Sequence, residues 1–286
     1  MPSVRDLRDR IRSLKNTQQI TKAMKQVAAA KIRRADMLQK QSRPYADAIG
    51  AMLQDLIANV GSVDHPFMKP GKADAPTGVI IMTADKGLAG AFNANLIRQA
   101  EFYAREDANV IWYSVGVKGR NAVRRQPQET AEFWPLNSPS KLDAAREVAH
   151  RVSDDFVSGK IGKIVLISPK LINMMSQRPE VRNLVPIEST GEKKSSTGPT
   201  SGVEFEPSAE GVLSRILPKY LEFTIYAAML ETDASFFAAQ LVAMNNATEN
   251  AKKIIDELTI QMNNARQASI TKEILEIVGG AEALAG

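Results

Sequence analysis

The sequence predicts a mixed fold, α+β/α/β: a long antiparallel coiled coil made by the N- and C-terminal helices, with a small α/β (Rossmann-like) domain inserted between them. Three observations carry this. Residues 3 to 43 run for 41 positions without Gly or Pro. Residues 219 to 278 run for 60 more. Between these stretches, short β-branched runs alternate with helical ones, the pattern of a mainly parallel sheet. The expected division is 1–61 with 208–286 as a coiled-coil shaft, 75–188 as a globular α/β domain, and 189–207 as a flexible loop.

The N-terminal helix begins with Val4, Leu7, Ile11 and Leu14, which follow the 3-4-3 spacing of a helical seam. Farther along, polar Gln18 and Thr21 stand where that register needs apolar groups, so the stripe is expected to shift to Ile20, Met24 and Val27. A drifting stripe describes a helix that curves around its partner or changes partners. After Pro44 the pattern resumes through Ile49, Met52, Leu53, Leu56 and Ile57, and Gly61 is read as its stop.

The C-terminal stretch is the more unusual. Sixty helical residues at ~1.5 Å each extend roughly 90 Å, against about 11–12 residues for an average helix. Phe237, Leu241, Met244, Thr248, Ala251, Ile255, Leu258, Met262 and Ala265 keep alternating 4-3 spacing, and eight of these nine are apolar. That is a specific coiled-coil signal. Gly279-Gly280 are the expected stop. This helix is the longer unbroken one, so part of it is expected to stand beyond its partner.

In the middle, "TGVIIM" (77–82), "NVIWYSV" (109–115) and "KIVLIS" (163–168) read as buried strands. Helical stretches lie at about 88–105, 117–125 and 141–157, and a further strand is expected around 181–187. "STGEKKSSTGPTSG" (189–202) is polar and Gly/Ser-rich, hence a loop.

Composition excludes several functions. There is no cysteine, and the only histidines are His65 and His150. Disulfides, thiolate catalysis and a Cys/His zinc site are therefore out. The start, "MPSVRDLRDRIRSL", lacks the apolar core of a secretory signal. No stretch reaches 18 uncharged apolar residues, so no membrane span is expected. The lack of a transit peptide favours a bacterial, cytoplasmic setting. Charge is unevenly placed. Residues 1–43 carry twelve Lys or Arg against Asp6, Asp9 and Asp36, and residues 219–278 carry five bases against eight acids.

"TADKGLAGAFNANL" (83–96) follows a strand and opens a helix, so Gly87 and Gly90 could direct backbone N–H groups at a phosphate. It matches neither the P-loop nor the dinucleotide fingerprint, and a tight strand-to-helix turn is the better reading. His65 and His150 belong to no catalytic motif and read as surface or capping groups, and Asp154-Asp155 as a solvated helix end.

The basic first helix keeps three readings: nucleic acid, an anionic membrane, or an acidic protein. No DNA-binding module or aromatic platform supports the first. No Trp or Phe in residues 1–43 supports the second. A protein partner is favoured over plain solvated charge by the density of positive residues. A nucleic-acid-binding coiled coil and a nucleotide-dependent enzyme remain as alternatives.

At this point the residues resemble a family. "RIRSLKNTQQITKAMKQVAAAKIRRA" is similar to the opening helix of the γ subunit of F-type ATP synthases. "ARQASITKEILEIVGGAEAL" carries a pattern similar to that family's signature at Ile270, Thr271, Glu273, Glu276, Gly280 and Ala281. "LPKYLEFTIYAAMLETDAS", "AMNNATENA" and "DKGLAGAFN" are also similar, and the resemblance spans the chain.

The resemblance implies a non-catalytic central-stalk rotor. Its terminal helices would form a shaft inside a ring of three α and three β subunits. Its α/β foot would meet an ε subunit and a membrane c-ring, at the cytoplasmic face of a bacterial inner membrane. ATP, ADP and Mg would bind α and β, with no cofactor on this chain. By resemblance Lys22, Met24 and Lys25 lie near acidic lever segments of β, and Arg266, Gln267 and Thr271 contact β nearer the tip. Asp85, Lys86, Gly87, Gly90 and Asn93 would belong to the foot, at a turn meeting the ring. Two departures stand out: Phe236-Phe237 and "AAQL" (238–241, with Gln240) replace a more polar family pattern, and Gln26 stands where many members have Met. The chloroplast-type cysteine insertion is absent, which excludes thiol regulation.

Overall fold

The computed structural model describes residues 3–60, 65–187 and 209–285. In chain order these form α1 (Val4–Val60), β1 (Thr77–Met82), α2 (Phe92–Glu106), β2 (Val110–Val115), α3 (Val117–Val123), β3 (Glu129–Trp134), α4 (Lys141–Val157), β4 (Lys163–Asn173), β5 (Ser176–Val185) and α5 (Ala209–Ala285). The chain divides into two compact units, residues 1–28 with 240–286 and residues 29–239. The expected helix stop at Gly61 and the expected loop at 189–207 lie outside the described residues.

In the first unit α1 starts on a reciprocal cap. The Asp6 N–H donates to Ser3 Oγ at 3.2 Å, and the Ser3 N–H donates to Asp6 Oδ2 at 3.1 Å, satisfying two amides that a helix start leaves unpaired. Beyond it the buried positions are Leu7, Ile11, Thr21 and Ala28, with Leu14, Gln18 and Lys25 half-buried among them. This one 4-3 progression corrects the expected shift of register. Ile20 and Val27, assigned to a second stripe, are 60% and 54% exposed. The seam keeps its register because α5 answers polar groups with polar groups: the Thr21 and Thr248 hydroxyls are 2.8 Å apart, and Lys25 Nζ donates to Asn245 Oδ1 at 2.6 Å. As residue numbers rise on α1 they fall on α5, so the helices are antiparallel. On α5 the predicted seam matches the covered face, with Met244, Ala251 and Ile255 buried and Leu258, Met262 and Ala265 half-buried.

In the second unit a five-stranded sheet has the order β3-β2-β1-β4-β5. β3, β2, β1 and β4 are parallel, and β5 returns antiparallel to β4. Alternate strand residues feed two cores. Ile80, Met82, Ile111, Tyr113, Ile164 and Leu166 pack with α4 and with Leu213, Leu217, Leu221, Ile225 and Met229 of α5. Val79, Ile81, Trp112, Val165 and Ile167 pack with Ala100 and Ala104 of α2 and Val123 of α3. Gly116 (φ +97°) makes the turn into α3. A Cβ there would lie 2.0 Å from the Thr83 carbonyl oxygen, so no other residue fits.

Several expectations need correction. β3 was not foreseen: "ETAEFW" has only its last residue fully buried, as on an edge strand. β4 runs five residues past 168, because β5 pairs with its far end. α2 starts at Phe92, not 88, since the turn before it holds Leu88 and Gly90 at φ 62° and 57°. Pro44 and Pro218 sit inside helices. Each removes one backbone hydrogen bond. Packing on either side carries the helix through: the Tyr45 and Phe223 rings meet at a tilt with centroids 4.3 Å apart, and Leu217 and Leu221 are buried. Gly279-Gly280 do not stop α5, because neither takes the left-handed conformation that ends a helix. Asp155 is buried, not solvated: the Tyr113 hydroxyl donates to its Oδ2 at 2.5 Å and Arg151 pairs with it at 3.1 Å.

Candidate functional site

The first surface is the shaft unit. On α1, Lys22 is exposed, whereas Met24 and Lys25 are half-buried. The Lys25 ammonium is engaged by Asn245 across the seam, so Lys22 is the cation of this pair that points outward. Flanking it, Ile20 and Val27 offer apolar contact on the open side.

On α5 the covered face ends at Ala265, and every residue from Arg266 to Ala281 is exposed. The seam positions that would continue it, Ser269, Lys272 and Glu276, are polar. Apolar groups move to another face instead: Ile270, Ile274, Ile277 and Val278 are 48%, 55%, 71% and 52% exposed. Their spacing puts them on one side of the helix. Local bonds hold the rest, with Thr271 Oγ1 donating to the Gln267 carbonyl at 2.9 Å and Lys272 pairing with Glu276 at 3.5 Å. Arg266, Gln267, Thr271, Glu273, Gly280 and Ala281 therefore share one exposed helical segment. Sequence reasoning singled out Ile270 but not Ile274 or Ile277. Their signal was the switch of the apolar positions away from the seam after Ala265.

The second surface is the 85–93 turn of the globular unit. The Asp85 carboxylate accepts the N–H groups of Val117 (3.0 Å), Leu136 (3.2 Å) and Asn137 (2.8 Å), tying three connections together. Asn93 spans the turn, accepting from the Ala84 N–H at 3.0 Å and donating to the Lys86 carbonyl at 3.1 Å. The one carboxylate of the turn thus faces inward and is spent on the amides of neighbouring connections. The crevice outside the carboxyl ends of parallel strands, where nucleotides bind in such sheets, is filled. Phe236 of α5 packs there on Ala84, Ala89 and Phe92, its ring 6.0 Å from that of Phe92. Phe237 lies under Lys31 Nζ at 5.2 Å. The two aromatics that depart from the family pattern thus make an apolar plug with a cation on its edge. Of the turn, Leu88 (62% exposed) and Lys86 remain outward.

The histidines do no chemistry that the geometry supports. His65 Nδ1 accepts from the Phe67 N–H at 3.1 Å, capping a short helix, and burial lowers its pKa. His150 lies on an open groove between β3 and α4 in which Arg151 pairs with Glu132 at 3.4 Å and Arg146 with Asp143 at 3.1 Å. Among the described residues no helix is long and apolar enough to cross a membrane.

Comparison with known proteins agrees with the arrangement. The family model described as "ATP synthase" matches residues 3–284. The ATP synthase gamma chain of Desulforamulus reducens is 45% identical over 285 residues, spanning 99% of this chain and all of that one. That of Heliobacterium modesticaldum is 42% identical over 292 residues, with the same coverage. A structure of the Euglena gracilis mitochondrial ATP synthase (OSCP/F1/c-ring) contains a chain with TM-score 0.68 at 18% identity, covering 98% of this chain and 94% of that one. A structure of the central stalk and c-ring of Tetrahymena thermophila gives TM-score 0.62 at 23% identity, covering 80% and 99%. The chain belongs to the γ-chain family of the ATP synthases.

Proposed function

We infer that this chain is the central-stalk rotor of a proton-transporting F-type ATP synthase and carries no catalytic centre of its own. The carrying observation is the end of α5. Sixteen residues, 266–281, lie exposed on every side and display an apolar stripe that nothing in their own unit covers. Leaving such a stripe in water is unfavourable unless a partner meets it. By resemblance to γ subunits of F-type ATP synthases, that partner is the α and β subunits, three of each, with ε and the c-ring at the foot. The same reading puts the complex on the cytoplasmic face of a bacterial inner membrane, with ATP, ADP and Mg held by α and β.

The mechanism follows from asymmetry. A single two-helix shaft presents different side chains to three identical β subunits. Each β is therefore biased toward a different conformation by its own differential contacts. Lys22 with Ile20, Met24 and Val27 would meet one level of β. Arg266, Gln267 and Thr271 with the Ile270–Ile277 stripe would meet a higher one. Rotation by the ring passes these surfaces from one β to the next. Exposed charge and small apolar groups suit a contact that must be released at each step. At the foot, the internal bonding of Asp85 and Asn93 leaves Lys86 and Leu88 to touch a neighbour, and cross-linking from Leu88→Cys reports whether that neighbour is the ring.

The test is assembly. Mixed with purified α and β subunits, the chain should elute from size exclusion in a stoichiometric complex with ATPase activity. Failure to assemble, with tight salt-sensitive binding to DNA instead, would replace the rotor by the nucleic-acid reading.

A further inference from the structure

Residues 219–278 carry eight acids, and the rotor reading gives the first three no task. All three are spent inside the globular unit. Glu222 is 4% exposed, with Lys219 Nζ at 3.0 and 2.9 Å and Arg146 Nε of α4 at 3.5 Å. Glu231 Oε1 accepts the N–H of Leu171 in β4 at 3.0 Å. Asp233 pairs with Lys141, the first residue of α4, at 2.9 Å, and their side chains are only 18% and 16% exposed. The Lys141 ammonium also donates to the Leu136 carbonyl at 2.6 Å, so its position is fixed from both sides.

Between Glu222 and Asp233 the helix rises roughly 16 Å. Over that length α5 also lays Ile225 and Met229 on the sheet. Apolar contact of this kind is strong but non-directional, and it resists separation better than it resists twisting or sliding. Hydrogen-bonded charges are directional and fail over fractions of an ångström. Asp233 is not there for stability alone. Burial raises its pKa even though Lys141 pulls the other way, so folding with the charged form has an electrostatic cost.

We propose that Glu222, Glu231 and Asp233 form a polar clamp that locks the α/β unit to α5 at a fixed angular setting, so that torque applied to the foot turns the shaft without slip. The proposal rests on the rotor reading and names positioning residues within it. None of the three would touch nucleotide or the β subunits.

The test uses vesicles rebuilt with α, β, ε, the ring and the full chain, comparing protons pumped with ATP hydrolysed. Wild type comes first: if it hydrolyses ATP without pumping, the rotor reading fails and takes the clamp with it. With wild type pumping, Asp233→Asn combined with Glu231→Ala should lower protons pumped per ATP several-fold while hydrolysis continues. Lys141→Met alone should act in the same direction. Exchanging the pair, Lys141→Asp with Asp233→Lys, should recover most of the ratio. A second readout on the isolated full chain needs no complex. Glu231→Ala should speed hydrogen exchange of the Leu171 amide about five-fold, the equivalent of one lost hydrogen bond, whereas Glu231→Gln, which can still accept, should not. Variants that pump as wild type, an exchanged pair that rescues nothing, or an unchanged Leu171 amide would each overturn the clamp.

Discussion

Two stretches of the same helix follow different rules. Between Leu213 and Met229, α5 is a core element that buries Leu213, Leu217, Leu221, Ile225 and Met229 against a sheet. Between Arg266 and Ala281 it carries five large apolar residues, Ile270, Ile274, Leu275, Ile277 and Val278, and none is buried. Helix propensity does not explain the contrast; both stay helical, the first through Pro218 and the second through Gly279-Gly280. The difference lies in where the complementary surface resides. For the first stretch it is within the chain, and for the second the rotor reading assigns it to another protein.

The largest predicted effect tests the buried side of this contrast. Leu217→Ala or Met229→Ala should cost about 2–5 kcal/mol in denaturant unfolding, as large-to-small core changes do. Ile274→Ala with Ile277→Ala should leave the isolated chain within about 0.5 kcal/mol of wild type while weakening its hold on α and β. A pair of alanines that destabilised the free chain by several kcal/mol would show that the stripe is internal core after all.

Gly116→Ala comes next. With φ at +97° and the Thr83 carbonyl in the way, the substitution should cost at least about 1–3 kcal/mol in thermal unfolding. Gly279→Ala, with nothing within 4 Å and no left-handed φ, should stabilise by up to about 1 kcal/mol. This pair asks the same question of glycine that the alanines ask of apolar residues.

Within the shaft the two lysines should separate. Lys25→Glu removes the donor that Asn245 accepts from and puts a carboxylate into the seam, so melting should drop by roughly 1–3 kcal/mol. Lys22→Glu, on the open side, should leave melting unchanged and reduce coupling of ATP turnover to proton pumping. Equal melts for both would contradict the inward placing of Lys25.

The smallest effect is a pH dependence. Burial raises the pKa of Asp233 in the folded chain, with Lys141 and Lys31 opposing and Asp85 adding to the shift. The folded state therefore binds this proton more tightly than the unfolded one, and the contribution is a stability present at low pH. It is lost as pH rises from the ordinary carboxylate value through the raised one. Asp233→Asn, which stays neutral, should lack that decline. The stability difference between variant and wild type should move in the variant's favour across the window and level off above it.

Much of this architecture was legible beforehand because it rests on periodicity. The 4-3 spacing from Phe237 to Ala265 marked the covered face of α5, and three β-branched runs marked β1, β2 and β4. What was not legible depends on partners distant in sequence. Gln18 and Thr21 look like a break in the seam because a hydroxyl at 248 opposite Thr21, and an amide at 245 opposite Lys25, could not be foreseen. The edge strand β3 has too little burial to look like a strand, and Pro44 and Pro218 look like stops until the packing around them is known. The glycine stretch reads as a turn from its spacing, but that Asp85 ties it to the amides of Val117, Leu136 and Asn137 is a fact of three-dimensional placement. The exposed end of α5 could be expected from length alone, and its stripe only from noticing where the seam turns polar.

The central claim is that this chain turns as one body between a membrane ring and the catalytic subunits. ATP-driven proton uptake by vesicles containing α, β, ε and the ring, measured with and without the chain, tests it most directly. Uptake should appear only when the chain is present and should scale with ATP hydrolysed. Equal uptake without the chain, or full hydrolysis with the chain and no uptake, would contradict the rotor.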